Sequence, residues 1–97
     1  MELLVFHMRI FLAEEMRIDK FLNIVNLTKR RSIAQDMCLN QVVFINGSVA
    51  KPSKEIKIGD IIDLVFFDRQ KKLKVLDIPK HKTIPKQDAL KYIEEII

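Results

Sequence analysis

The apolar residues of this chain change their spacing once, near residue 42, and that change dictates the fold class. Ile18, Phe21, Leu22 and Val25 recur at intervals of three and four, the stripe presented by one face of an α-helix. Beyond that point the apolar residues run consecutively or alternate, as Val42-Val43-Phe44-Ile45, Ile61 to Phe67, and then Leu73 and Val75. β-Branched and aromatic residues so spaced suit extended strands. Helices gathered ahead of strands predict an α+β domain in which two N-terminal helices pack on a small, mostly antiparallel sheet.

The punctuation between these runs sets the expected elements. The first helix starts near Arg17, and Asn23, Asn26 and Thr28 weaken its pattern, which predicts a short helix followed by a turn. A second helix covers roughly residues 30–39, with Ile33, Ala34, Met37 and Cys38 on one face. Ser32 and Gln35 have capping-box spacing, so a start at Ser32 is the competing register. Asn46-Gly47 predicts a two-residue hairpin, because a type I′ turn needs positive φ at both central positions. Ser48-Val49-Ala50 is the return strand, stopped by Lys51-Pro52. Gly59-Asp60 marks a second turn and Asp68-Arg69-Gln70-Lys71 a third, with Leu76 to Ile78 a candidate further strand before Pro79. Residues 79–85 read as a connector. Leu90, Ile93 and Ile97 stand at helical spacing and predict a terminal helix over residues 87–97.

Ninety-seven residues are room for one domain. The single cysteine, Cys38, cannot form an internal disulfide and rules out a cysteine-based zinc site. His7 and His81 lack metal-ligand spacing, so neither a metal nor another cofactor is expected. The apolar stretch at the start is broken by His7 and Arg9 and is shorter than the roughly 20 residues that span a bilayer. It also lacks the basic start of a signal peptide, since the chain opens Met1-Glu2. A cytoplasmic protein without a membrane partner is expected.

Charge is distributed unevenly. Residues 17–57 hold eight basic against three acidic groups, a net of +5, whereas residues 1–16 are net −2 and residues 58–97 net +1. Such a bias favours a polyanionic partner. Its centre is Lys29-Arg30-Arg31, at the expected start of the second helix. Positive charge there opposes the helix dipole at a cost of ~0.3–1 kcal/mol per residue. A helix start with adjacent arginines also offers backbone N–H groups and bidentate donors to a phosphate. The triplet alone reads more readily as a solvated basic run on a surface helix. Arg17 and Lys20 on the first helix, and Lys51 and Lys54 after the hairpin, extend it to a face if the two helices pack side by side.

Other chemistry-bearing residues have simpler accounts. Phe44, Phe66 and Phe67 lack the spacing of a base-stacking motif and are expected in the core. Cys38 lies on an apolar helix face, as a core residue does. Asp60 and Asp63 suit a turn and a polar strand face, and Lys80-His81-Lys82 a solvated linker. No catalytic set stands out.

Several segments taken in order resemble one family. Arg17-Ile18-Asp19-Lys20-Phe21-Leu22, Lys29-Arg30-Arg31-Ser32-Ile33-Ala34, the stretch Val43 to Ser53, and Ile58-Gly59-Asp60 are similar to the ribosomal-protein S4-type RNA-binding domain. The likeness is strongest to its small stand-alone members, the RqcP-like and heat-shock-induced proteins of the large ribosomal subunit. It covers about residues 16–78, leaving residues 1–15 as an N-terminal extension, whether native, arising from an upstream start or artificially added, and residues 79–97 as linker and terminal helix. The resemblance implies two helices on a small sheet (an αL motif), with the helix pair and the loop after it gripping structured RNA. It implies binding to large-subunit rRNA and tRNA on subunits obstructed by peptidyl-tRNA, in ribosome-associated quality control and beside a partner, RqcH. It makes Arg17 and Arg31 the first RNA contacts, with Lys20, Lys29, Arg30, Lys51 and Lys54 next, and Asn46 and Gly47 shapers of the hairpin. Many family members carry glycine after the second helix, where this chain has Asn40-Gln41. The alternatives are a protein-interaction module, and an RNA-binding accessory to a modifying enzyme acting in trans. At 97 residues, a catalytic domain within the chain itself is not expected.

Overall fold

The computed structural model describes residues 15–80 and 83–97; the expectations for residues 1–14, and for His81 and Lys82, lie outside the described residues. The element order is β1 (Met16–Arg17), α1 (Ile18–Ile24), α2 (Arg31–Leu39), β2 (Val43–Ile45), β3 (Ser48–Val49), β4 (Glu55–Ile56), β5 (Ile61–Val65), β6 (Gln70–Val75), a 3₁₀ helix (Lys86–Lys91) and β7 (Ile93–Glu95). Five strands form an antiparallel sheet in the order β3-β2-β5-β6-β7, and β1 pairs separately with β4. Two helices ahead of an antiparallel sheet give the α+β class that the change of spacing predicts.

The core lies between the helix pair and one face of the sheet. Ile45, Ile62 and Leu73 sit opposite one another on adjacent strands, and Val43 faces Leu64. All are buried, together with the Ile18/Phe21/Leu22/Val25 stripe of α1 and Ala34 and Cys38 of α2. The intervening strand residues face outward, where Asp63 and Lys72 approach to 4.0 Å. This is the period-2 logic of a sheet with one wet face.

Both helices end in a left-handed residue. After α1, Asn26 has φ 66° and the N–H groups of Asn26 and Leu27 donate to the carbonyls of Asn23 and Leu22. After α2, Gln41 has φ 61° and the N–H groups of Gln41 and Val42 donate to Cys38 and Met37. These paired bonds are Schellman caps, normally closed by glycine. The left-handed residue after α2 is thus Gln41 and not Asn40. Helix α2 starts at Arg31 with Arg30 as N-cap and no side-chain cap, so the Ser32 register is not adopted. Gln35 is engaged elsewhere.

Asn46 and Gly47 both have positive φ, 50° and 89°, and close the β2–β3 hairpin as a two-residue turn. Asn46 also fastens the next turn: its amide donates to the Asp60 carboxylate at 3.0 Å and its Oδ1 accepts the Ile61 N–H. Asp60 in turn accepts the Lys57 N–H. Both residues therefore shape turns.

The terminal segment differs from the expected helix. Residues 86–91 form a 3₁₀ helix, and Ile93–Glu95 add a strand to the outer edge of β6. Helical spacing of Leu90, Ile93 and Ile97 was a coincidence of composition. Pairing β7 satisfies the edge of β6 and buries Ile93 opposite Val75, while Leu90 stays exposed. A sheet edge and β-branched residues outweigh a three-residue helical pattern. β6 also ends at Val75, so Leu76 to Ile78 form no strand, although Ile78 is buried. Ile33 is largely exposed, so the buried face of α2 is narrower than its spacing suggests. Among the described residues, no helix is long and apolar enough to cross a membrane.

Candidate nucleic-acid interface

The start of α1 is where the basic residues converge, and they converge on an acid. Asp19 is completely buried. Arg17 approaches it as a fork, Nε to Oδ1 at 3.2 Å and Nη2 to Oδ2 at 2.9 Å. From α2, Arg31 Nη2 donates to Oδ1 at 3.3 Å and Gln35 Nε2 to Oδ2 at 3.0 Å. The backbone N–H of Lys20 completes the set at 2.7 Å. Arg31 Nε lies 3.3 Å from Oδ2, near enough for attraction but without a hydrogen bond. Burial by itself raises the carboxyl pKa, and the donors from Gln35, Arg31, Arg17 and Lys20 outweigh it, holding Asp19 below the usual carboxylate range.

This arrangement answers the unfavourable charge at the start of α2. That helix has no acid in its first turn, and Asp19 supplies one from α1, beside Arg31 and Gln35. Two guanidinium groups against one carboxylate leave a net positive charge. The arginine side chains remain 45% and 42% exposed. Neither Nη1 makes a hydrogen bond among the described residues, so each arginine is held by one edge and free at the other. Such preorganisation suits recognition of a phosphate.

The turn after the hairpin joins the same place. The Ile18 N–H donates to the Lys54 carbonyl at 2.7 Å and the Asp19 N–H to that of Pro52 at 3.4 Å, while β1 pairs with β4 through Arg17 and Glu55. Lys51 and Lys54, both exposed, thus flank the start of α1 with Lys20. Arg30 is exposed at the N-cap of α2, its carbonyl fixed by the Thr28 hydroxyl at 3.0 Å. Lys29 is placed apart, lining a groove together with Leu64, Phe66, Arg69 and Lys71 near the β5–β6 turn. The Lys29-Arg30-Arg31 triplet is therefore divided, with Arg31 drawn to Asp19 and Lys29 to the sheet.

Asp19 and Gln35 escaped the sequence reading as members of this cluster. The available signal was an isolated acid within the Arg17-Ile18-Asp19-Lys20 run, but its partners lie 12 and 16 residues away. Phe67, expected in the core, is fully exposed, and Phe66 is half-buried beneath the Arg69 guanidinium at 5.4 Å. Phe44 is half-buried. Cys38 is buried as expected, and burial, with a contribution from the Asp19 charge, pushes its thiol up to about 11.

Comparison with known proteins places this geometry. A family model for the S4 domain matches residues 16–62, the span from β1 through the first residues of β5 that contains Arg17, Lys20, Lys29, Arg30, Arg31, Lys51 and Lys54. The RQC P-site tRNA stabilizing factor of Helicobacter pylori (strain J99) is 50% identical over 78 residues, 80% of this chain and 93% of that protein. The chain belongs to the family of RQC P-site tRNA stabilizing factors. The family member from Halalkalibacterium halodurans is 32% identical over 74 residues, 76% of this chain and 82% of its own. Among solved structures, a trimeric heat shock protein 15 of Vibrio cholerae superposes with a TM-score of 0.76 at 33% identity, covering 84% of this chain and 82% of that one. The hypothetical protein HP1423 superposes with a TM-score of 0.74 at 46% identity, covering 84% and 98%.

Proposed function

We propose that this chain is a non-catalytic RNA-binding factor of the large ribosomal subunit, acting in the cytoplasm on subunits that carry peptidyl-tRNA during quality control of stalled nascent chains. The observation that carries this reading is the buried Asp19 carboxylate, which holds Arg17 and Arg31 half-exposed with their free edges outward. A surface that served stability alone would not gather Arg17, Lys20, Arg31, Lys51 and Lys54 around one acid. A phosphate backbone is the partner that such a face fits. The names of the relatives point to P-site tRNA as the RNA concerned, with large-subunit rRNA beside it. An RqcH-type partner then works on the same subunit. Arg17 and Arg31 are the primary contacts, Lys20, Lys51 and Lys54 flank them along the backbone, and Lys29 and Arg30 extend the contact past the start of α2.

The test is sedimentation of the full chain with purified large subunits, with and without peptidyl-tRNA, at low salt. Wild-type protein is expected to co-sediment preferentially with the loaded subunits. Arg17→Ala and Arg31→Ala are each expected to weaken this by about tenfold or more, as loss of a charged hydrogen bond does, while unfolding cooperatively in a control melt. Wild-type protein that associates with neither subunits nor tRNA sinks the reading.

A further inference from the structure

A groove of about 610 Å³ opens between the loop ahead of α2, the outer flank of α2 and the β5–β6 end of the sheet. Its volume lies in the ~300–1,000 Å³ range of sites that take small molecules. Leu27, Ile33, Met37, Leu64 and Phe66 supply an apolar lining. Lys29, Arg69 and Lys71 add positive charge, and Glu95, the one acidic side chain in the lining among the described residues, lies 4.0 Å from Lys71. Lys29 and Arg69 make no ion pair among the described residues. Arg69 stands over the Phe66 ring, and Thr28 and Gln70 contribute a hydroxyl and an amide.

An apolar and aromatic wall beside unpaired cations calls for an occupant that is flat, apolar on its faces and attached to a negative charge. A nucleotide fits this description. An uncharged peptide would cover Ile33 and Met37 but leave Lys29 and Arg69 unmatched. The groove is also continuous in sequence with the basic face. Lys29 borders it, Arg30 follows, and Arg31 reaches Asp19. A phosphate backbone lying on the Asp19-centred cluster is thus led along Arg30 to the groove.

We propose that the groove receives one unpaired base of the bound RNA, stacked against Phe66 and the Ile33/Met37 wall, with its phosphate between Lys29 and Arg69. The proposal rests on the RNA-binding reading above and gives it a preference: structured RNA with an extruded base over an uninterrupted duplex. Unstacked bases are the usual route to selective RNA recognition by aromatic and arginine side chains.

The test uses the full chain and two hairpin RNAs that differ only by a single bulged 2-aminopurine. Wild-type protein is expected to bind the bulged hairpin about tenfold more tightly, the worth of one stacked base, and to quench its fluorescence. Phe66→Leu is expected to remove the preference and the quench while leaving affinity for the paired hairpin within about twofold. Arg69→Ala, at an exposed position, is the variant least able to disturb folding, and it is expected to reduce the preference as well. Arg31→Ala should weaken both hairpins alike. Equal wild-type binding to the two hairpins, or a preference that survives both groove variants, overturns the groove proposal and leaves RNA binding standing. Absence of binding to either hairpin defeats the RNA-binding reading, and this one with it. If Ile33→Glu abolishes association with large subunits but keeps the bulge preference, a protein segment occupies the groove and the proposal fails.

Discussion

A carboxylate with no exposed surface persists at position 19 because six nitrogens surround it, five of them hydrogen-bond donors. Removing one partner of a buried charge set costs about 3–5 kcal/mol when the remainder stays buried. Here the arginines are half-exposed and regain water, which reduces the penalty. Asp19→Ala is therefore expected to cost about 2–3 kcal/mol, read as a lower urea midpoint. The same group gives a pH dependence of defined sign. Its carboxyl is held below 3.8 in the fold, so its contribution is complete above that value and is lost as pH falls through the lower folded one. Asp19→Asn should be less stable than wild type at neutral pH, with the gap closing as the pH falls below 3.8. Parallel acid unfolding of the two proteins would remove Asp19 from this role. The sequence displayed the arginines but not the acid between them, because positions 19, 31 and 35 meet only when α1 and α2 pack.

At the scale of elements, the two helices end in the same cap with different residues, and the difference is measurable. Asn26 tolerates the left-handed region through its short polar side chain, whereas Gln41 has no such relief. Gln41→Gly is expected to raise stability by about 1 kcal/mol, the left-handed strain outweighing the extra entropy of glycine in the unfolded chain. Asn26→Gly should gain less. Thermal melts of the two variants decide the matter, and a loss of stability in Gln41→Gly counts against the strain. The elements that were legible share one property: their signals are local. The α1 stripe, the Asn46-Gly47 turn and the alternation of β5 each lie within a few residues. β7 was not legible, because its strand character comes from the exposed edge of β6 some twenty residues earlier. Likewise the capping-box spacing of Ser32 and Gln35 misled, since Gln35 turns to Asp19 instead of its own helix start.

For the whole molecule, the excess positive charge in residues 17–57 was visible in the sequence, and folding decides how it is divided. One part surrounds Asp19, a smaller part borders the groove, where Lys71 lies near Glu95, and on the outward face of the sheet Lys72 is offset by Asp63. Phosphate contacts release counterions, so each contributes about −0.7 to −0.9 to the slope of log K against log salt. Arg17, Lys20, Arg31, Lys51 and Lys54 acting together imply a slope of about −3.5 to −4.5. Lys54→Ala should make that slope shallower by roughly one unit and weaken all structured RNAs alike. Lys74→Ala provides the comparison, because Lys74 is exposed on the sheet opposite Glu94, away from α1, and should leave the slope unchanged. Phe66→Leu should lower affinity for bulged RNA without changing the slope, because stacking releases no counterions. A titration of each variant from 50 to 300 mM salt (on the order of the usual range) separates the three behaviours. Equal changes in slope for Lys54→Ala and Lys74→Ala would mean that charge attracts RNA over the whole surface, and that the cluster around Asp19 has no privileged role.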